Sequence, residues 1–441
     1  MKILIAVWLS AALLSAQDFA AKAEAYVASW ARDGQFAGVV LVAKDGQPLL
    51  RKGYGLANRE WGIPNAPDTR FRLGSITKQF TAAAILQLVE RGKLSLEDPV
   101  SKHYPDAPAA WEKITIHHLL NHTSGIPSYT ALPDFFQKQS MIARKPAEIV
   151  KLTQDQPLEF EPGSQFKYNN TGYVLLGHLI ERIGGVSYDE YLRKNVLAPL
   201  ELADTGYDWN TAVIARRASG YNPDGKLAPY LDMSLPHAAG SLYSTVDDLS
   251  RWFDALEAGK VVSKANYAKM STAYLGGYGY GLKMQKIEGH EVVGHGGGIN
   301  GFNTSLLRAP ADGLTVVVLA NQAGPAADMV ASELAALFLG KDVKPRPVFT
   351  EVKLPVEKLD AVTGQYELRP GFVMKVWREG AQLMTQATGQ GAIPVMASAE
   401  DRFFSRQVGA ELEFKRGAEG KVTSLVLHQG GHQMPANKIA E

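Results

Sequence analysis

The sequence contains no cysteine among its 441 residues. Disulfides, thiol nucleophiles and metal sites built on cysteine are therefore excluded. No segment of the chain is apolar over a length that would comfortably span a membrane. The formal net charge is +1 and no long run of like charge occurs, so the charge balance does not favour a nucleic-acid or polyanion partner.

Two motifs of common hydrolases are also missing. The sequence Gly-x-Ser-x-Gly does not occur, which removes the usual signature of the α/β-hydrolases. His118 and His122 are four residues apart and could share a helix face around a metal ion. No glutamate lies between them as in the zinc proteases, so capping and packing roles are favoured. We expect neither a metal nor a cofactor.

The N-terminus has the composition of a secretory signal. A lysine follows Met1, an apolar run extends from Ile3 to Leu14, and small residues lead to Ala16. This pattern predicts a signal peptide at residues 1–16 and a periplasmic or secreted protein, the alternative being a buried N-terminal helix. No cysteine follows Ala16, so a lipoprotein anchor is not indicated.

The stretch Phe71–Phe80 carries a serine and a lysine at a chemically useful spacing. Apolar residues recur at helical spacing after it, and Gly92 gives a stop signal. Because residues three apart share a helix face, Lys78 is expected beside Ser75 at the first turn. The start of a helix offers unpaired N–H groups and a partial positive charge. A buried lysine with a lowered pKa can activate a serine, so these are the parts of an acyl-enzyme site.

The Ser-x-x-Lys pattern is weak on its own, since chance produces it in chains of this length. A second copy at Ser164 and Lys167 follows the turn signal Glu161–Gly163 and leads into no immediate helix pattern. Local context therefore favours Ser75. The alternative is an ordinary N-cap serine followed by an exposed lysine.

Two other stretches are unusual. Tyr168 and Asn170 precede a helical pattern over Thr171–Ile183 and could point at one site, or could be a packed tyrosine and an N-cap. In Val292–Phe302, four glycines surround His295, and glycine permits close approach of the backbone to a ligand.

The remaining pattern mixes strands and helices up to about residue 340. Two apolar runs around Asp45-Gly46 predict a hairpin, and the apolar run Leu314–Ala320 predicts a buried strand. A helix is expected over Ala326–Leu339. The irregular, polar segment Pro127–Pro157 is expected to be an insertion over a cleft.

Beyond Gly340 the composition changes, and three prolines mark a linker. Short strands separated by turns then predict a small antiparallel β domain, either a sandwich or a barrel. The strands predicted here are Gln365–Arg369, Phe372–Arg378, Gln382–Ala387, Arg402–Arg406, Glu411–Lys415 and Val422–His428.

Taken together, these stretches resemble the penicillin-recognising serine hydrolases. That family includes serine β-lactamases, penicillin-binding proteins and the class-C-like esterases and D-peptidases often called the CubicO group. The stretch Ile114–Gly125 is also similar to the family's Leu-Leu-x-His-Thr-Ser-Gly signature. The other matches are Ser75 and Lys78 for Ser-x-x-Lys, Tyr168 and Asn170 for Tyr-x-Asn, and His295-Gly296-Gly297 in place of the usual Lys-Thr-Gly.

The resemblance implies an α+β fold. We expect an antiparallel sheet flanked by helices plus an all-helical region, with the site between them, followed by a small all-β barrel. This barrel resembles the lipocalin-like domain appended to some relatives, where it could cover the cleft or mediate oligomers. The implied division is a signal peptide at 1–16, a hydrolase domain at 17–340, a linker at 341–356 and the β domain at 357–441.

The resemblance also implies roles. Ser75 is the nucleophile, and Lys78 and Tyr168 form the base system. Tyr168, held as a phenolate or sharing a proton with Lys78, takes the serine proton and later activates water. Backbone N–H groups of Ser75 and Gly298 form the oxyanion hole. The implied substrate-binding residues are Asn170, His295, Gly297 and Gly298.

Histidine replaces the family's lysine at position 295. That lysine helps to bind a substrate carboxylate, whereas an imidazole is a weaker anchor whose charge is expected to vary near pH 6–7. We therefore expect a secreted hydrolase of small-molecule or peptide esters or amides, including D-amino-acid substrates. The alternatives are a β-lactamase or D,D-carboxypeptidase, and a catalytically weak penicillin-binding or sensing protein. The sequence leaves open whether the chain forms a homo-oligomer.

Overall fold

A computed structural model describes the backbone of residues 2–429 and 432–440, and the side chains of residues 16–429 and 433–440. The first helix spans Lys2–Arg32. The side chains of the predicted signal peptide before Ala16 lie outside the described residues, and its cleavage stays a prediction. Within the described part of the chain, no helix is both long and apolar enough to cross a membrane.

The chain divides into two compact units, Met1–Lys344 and Pro345–Glu441. Each unit has its own hydrophobic core. The buried clusters of the first draw on residues 19–343, and the cluster of the second draws on residues 354–436.

A six-stranded antiparallel sheet forms the centre of the first unit. The predicted hairpin lies at one edge, where Asp45 and Gly46 adopt φ values of 48° and 74° in the turn. In spatial order the strands are Gln47–Tyr54, Gly38–Lys44, Leu314–Ala320, Phe302–Ala309, His290–Ile299 and Lys283–Ile287.

The strand Leu314–Ala320 is buried along its whole length, as predicted. Its side chains alternate between two cores, because successive residues of a strand point to opposite faces. Val316 and Val318 join the core shared with the first helix and the helix Ala326–Phe338. Val317 and Leu319 join the larger core on the other face. This arrangement confirms the predicted antiparallel sheet flanked by helices.

The helix predicted after Asn170 occupies Asn170–Gly184. The segment predicted to be irregular contains a helix, Pro146–Gln154, which the sequence analysis missed. The sequence does indicate where this helix begins, because proline suits the first helical position and a glutamate follows two residues later. In the structure, the carboxylate of Glu148 accepts a hydrogen bond from Lys145 N. The other α-helices are Thr77–Glu90, Val100–His103, Ile116–Leu120, Phe135–Lys138, Tyr188–Leu192, His237–Gly240, Val246–Glu257, Lys264–Met270 and Val356–Asp360.

Two small sheets complete the first unit. One pairs Leu56–Asn58 with Ile63–Pro64. The other places Leu242–Ser244 between Phe71–Arg72 and Gly206–Tyr207. This second sheet fixes the chain immediately before the predicted nucleophile.

The second unit is a closed barrel of eight antiparallel strands in sequence order. The sequence analysis identified six of them and missed Ile393–Ala399 and His432–Ala440. Each missed strand contains a proline, which lowers the strand signal of the sequence. The strands are Gly364–Arg369, Phe372–Glu379, Gln382–Ala387, Ile393–Ala399, Arg402–Ser405, Ala410–Arg416, Val422–Gln429 and His432–Ala440.

Candidate active site

Ser75 lies in a tight 3₁₀ turn, Gly74–Ile76, immediately before the helix Thr77–Glu90. Gly74 has a φ of +56°, and a Cβ atom there would lie 3.0 Å from the backbone nitrogen of Gly298. Glycine is therefore needed for the close approach between this turn and the strand that carries Gly298. The turn also places Ser75 and Lys78 on one face, as the spacing predicted.

The side chain of Lys78 is completely buried. Its Nζ atom lies 3.2 Å from Ser75 Oγ and donates to Asn170 Oδ1 at 2.9 Å and to the Ala239 carbonyl at 2.8 Å. Burial lowers the pKa of Lys78 well below its usual value, because the surrounding protein cannot solvate an ammonium ion. This environment favours the neutral amine.

Tyr168 lies on the other side of the lysine. Lys78 Nζ is 4.8 Å from the centre of its ring, and the Ser75 side chain is close enough to its hydroxyl to affect the pKa of Tyr168. Although 37% of its surface is exposed, burial raises the pKa of Tyr168, and Ser75 offsets this only in part. The neutral phenol is therefore favoured over the phenolate, which is one of the two forms of Tyr168 that the resemblance implied.

The ring of His122 packs against the ring of Tyr168. The two rings lie 4.4 Å apart, and His122 Nδ1 accepts a hydrogen bond from Asn169 N at 3.1 Å. His118 acts in a cap, where its Nδ1 accepts from Thr115 N. These histidines therefore have the packing and capping roles that the sequence analysis favoured.

His295 uses both ring nitrogens within the protein. Nε2 lies 2.8 Å from the hydroxyl of Tyr278, and Nδ1 is bonded to the carbonyl of Gly296. Because a carbonyl only accepts, Nδ1 carries the proton and Nε2 accepts from Tyr278. Burial, reinforced by the neighbouring Lys78, lowers the pKa of His295 to about 4. The expectation that its charge varies near pH 6–7 is therefore wrong, because the ring is neutral there.

Gly297 and Gly298, on the same strand, face different surroundings. A Cβ atom on Gly297 would lie 1.9 Å from the Leu73 carbonyl and 2.3 Å from Thr304 Oγ1, so the strand can pass here only with glycine. A Cβ atom on Gly298 would meet nothing within 4 Å. The backbone of Gly298 thus lies beside the turn of Ser75 and borders open space, an arrangement compatible with an oxyanion hole.

A cavity of about 260 Å³ opens in front of Ser75. The segment predicted to cover a cleft contributes four of its wall residues. The lining residues are Gly74, Ser75, Tyr129, Thr130, Phe135, Phe136, Asn170, Leu231, Leu235, Pro236, Ala239, Gly240, Gly298, Ile299 and Asn300.

The second Ser-x-x-Lys copy is arranged differently. Ser164 Oγ donates to the Glu161 carbonyl at 2.6 Å, and Lys167 pairs with Glu159 at 2.6 Å. Both Ser164 and Lys167 are exposed. The lysine therefore neutralises a surface carboxylate instead of facing its serine.

Sequence reasoning missed Tyr278 and the aromatic wall of the cavity. Tyr278 lies in the stretch Gly277–Gly281, where glycine and tyrosine alternate. Such alternation of small and aromatic residues was an available signal of close packing. No feature of the sequence could have identified the Ala239 carbonyl as a hydrogen-bond partner of Lys78, because every residue has a backbone oxygen.

Comparison with known proteins gives matches over both units. The family model described as Beta-lactamase matches residues 19–340, and the model described as Domain of unknown function (DUF3471) matches residues 350–438. The chain is 30% identical over 436 residues to Penicillin-binding protein 4* of Bacillus subtilis, covering 91% of this chain and 95% of that protein.

Similar solved structures belong to the same kinds of protein. The octameric penicillin-binding protein homologue from Pyrococcus abyssi is 31% identical, with a TM-score of 0.66 over 93% of this chain and 98% of that chain. A D-stereospecific amidohydrolase from Streptomyces sp. is 30% identical, with a TM-score of 0.58 over 69% of this chain and 93% of that chain.

Proposed function

This chain belongs to the beta-lactamase family, and we propose that it is a serine hydrolase that cleaves esters or amides through an acyl-enzyme on Ser75. The resemblance drawn from the sequence motifs is thereby confirmed at the level of the family. One observation carries the proposal, namely the buried Lys78 amine 3.2 Å from Ser75 Oγ. A D-amino-acid amide belongs to the proposed substrates, since a D-stereospecific amidohydrolase is among the similar structures.

In acylation, the base is the neutral Lys78. A neutral amine has two N–H groups and one lone pair, and its N–H groups donate to Asn170 Oδ1 and the Ala239 carbonyl. The lone pair then remains for the Ser75 proton as Oγ attacks the substrate carbonyl carbon. The N–H groups of Ser75 and Gly298 stabilise the negative oxygen that forms.

The tetrahedral intermediate collapses when the bond to the leaving group breaks. The leaving atom takes a proton from the neutral Tyr168 hydroxyl, which regains one from the Lys78 ammonium. A water molecule then attacks the acyl-enzyme, with Lys78 and Tyr168 taking its proton and returning one to Ser75. The chain ends the cycle in its starting protonation state.

The β-lactamase and D,D-carboxypeptidase alternatives are weaker for a chemical reason. Their substrates carry a carboxylate next to the scissile bond, and a neutral His295 with both nitrogens bonded offers it no positive charge. The retained Ser75, Lys78 and Tyr168 argue against a protein that only binds. Export through the signal peptide at residues 1–16 is part of the proposal.

The test compares the purified full-length chain with Ser75→Ala on a short-chain p-nitrophenyl ester. We expect kcat to fall by about 10³-fold or more with the fold unchanged by circular dichroism, because the nucleophile is lost. Ser164→Ala is the matched control, since it alters the exposed copy of the motif, and it should retain full activity. Equal activity in Ser75→Ala, or a loss confined to Ser164→Ala, would overturn the assignment.

A further inference from the structure

The cavity in front of Ser75 has an aromatic, uncharged wall. Tyr129 and Phe135 are buried, their rings lie 5.1 Å apart in an edge-to-face contact, and Phe136 continues the wall at 5.4 Å from Phe135. Leu235 and Ile299 also line the space. None of the residues that the structure describes as lining this cavity carries a charge.

Polar side chains beside the aromatic rings are hydrogen-bonded within the protein. The Tyr129 hydroxyl donates to the Leu235 carbonyl at 2.9 Å. Asn170 accepts from Lys78 and donates from Nδ2 to Thr130 Oγ1 at 3.0 Å. These bonds engage the polar side chains beside the rings, so that ring faces and alkyl groups are available to a substrate on this side of the cavity.

The apolar surface extends to the mouth of the cavity. A second cavity of about 560 Å³ shares Phe136, Gly298, Ile299 and Asn300 with the first, and the described residues around it are likewise uncharged. Phe136 is 53% exposed and lines both cavities, so its ring is accessible to an apolar group of a ligand in either space.

The chemistry of acylation decides which half of the substrate occupies this space. The leaving group must lie near Tyr168 and Lys78, because it receives its proton from them. Neither side chain lines the cavity. The acyl half therefore points away from Tyr168 and into the aromatic wall.

We infer that the side chain of the substrate's acyl group, the part that enters this cavity, is uncharged and apolar, of the size of an aromatic ring or a medium alkyl chain, and that Phe136 is a specificity-determining residue. This inference rests on the proposed acyl-enzyme at Ser75 and names the substrate class of that site. A cavity of about 260 Å³ holds one such group, being smaller than typical sites for drug-sized ligands.

The first experiment uses the full-length chain and p-nitrophenyl esters of acetic, butyric, hexanoic and phenylacetic acids, with the adipic monoester as an anionic match for hexanoate. We expect kcat/KM to rise about fourfold per methylene and to be at least about tenfold lower for adipate than for hexanoate. Rates in Ser75→Ala are subtracted. Ser75-dependent rates that fall with chain length, or equal rates for adipate and hexanoate, would overturn the inference. Loss of Ser75 dependence would instead overturn the proposed function.

The second experiment changes the wall. Phe136→Lys adds a positive charge at an exposed position, so the fold should persist. We expect the preference for hexanoate over adipate to fall at least about fivefold. Val213→Lys adds the same charge at an exposed residue that lines neither cavity, and it should keep the preference. An unchanged preference in Phe136→Lys would show that the acyl group lies elsewhere.

Discussion

The hydroxyl of Tyr278 lies 2.8 Å from Nε2 of His295 and holds the imidazole in one tautomer. Tyr278 is itself buried and packs 4.6 Å from the ring of His122. His295 therefore belongs to an aromatic cluster that packs against Tyr168. Its sequence position suggests a substrate anchor, but its hydrogen bonds make it part of the structural support of the site.

Replacing His295 with lysine should restore a positive charge for a substrate carboxylate. We expect kcat/KM for a substrate with an anionic leaving group, relative to a neutral ester, to rise about tenfold or more, because a hydrogen bond to a charged group contributes about 1.5–3 kcal/mol. Hydrolysis of a chromogenic cephalosporin and of a neutral p-nitrophenyl ester gives this ratio. His295→Gln, which remains neutral, is the control. An equal ratio in His295→Lys and the wild type would mean that position 295 does not face the leaving group.

The pH dependence of activity should follow Lys78 and Tyr168. Because only the neutral amine accepts the serine proton, kcat/KM should rise with pH through the lowered pKa of Lys78. It should fall only above about pH 10, because burial raises the pKa of the Tyr168 phenol above its usual value of about 10. The measurement is kcat/KM for a neutral ester from about pH 5 to 11.

His295 should not contribute to that profile near neutrality, since its pKa is lowered to about 4. His295→Gln therefore serves as the control and should keep the shape of the curve above about pH 5. A limb of the pH profile near pH 6.5 that disappears in His295→Gln would contradict the assignment of His295 as neutral at that pH.

Local spacing accounts for the part of the site that the sequence predicted. Ser75 and Lys78 are three residues apart, and a single turn followed by a helix brings their side chains together. Tyr168 and Asn170 alternate before a helix, so both reach Lys78 from one segment. About 90 residues separate the two segments in sequence, and only the family resemblance predicted that they meet in one site.

The contacts that sequence analysis missed depend on distant or backbone atoms. The Ala239 carbonyl that accepts from Lys78 is 161 residues away from it in sequence. The aromatic wall is built from a segment whose many polar residues obscured its helix Pro146–Gln154, although Pro146 itself marks the start of that helix. In the barrel, Pro394 and Pro435 lowered the sequence signal of two strands, which form because pairing with neighbouring strands overrides local propensity.

Adding a methyl group to Gly297 should separate the glycine strand from the nucleophile turn. The new Cβ would lie 1.9 Å from the Leu73 carbonyl, and Leu73 precedes the turn of Ser75 by one residue. Relief of this overlap must move the backbone of Gly298 away from Ser75. We expect kcat of Gly297→Ala to fall about 10²-fold, since a displacement of about 1 Å has that effect on catalysis, and overpacking to cost about 1–3 kcal/mol of stability.

Gly298→Ala is the matched control for this prediction. Its Cβ would meet nothing within 4 Å, and the backbone N–H is retained, so kcat should stay within about tenfold of the wild type. Steady-state kinetics on one neutral ester and thermal unfolding of both variants make the comparison. The close approach of Gly297 to Leu73 would be irrelevant to catalysis if Gly297→Ala were fully active. A greater loss in Gly298→Ala would instead mean that open space above this residue is required by the substrate.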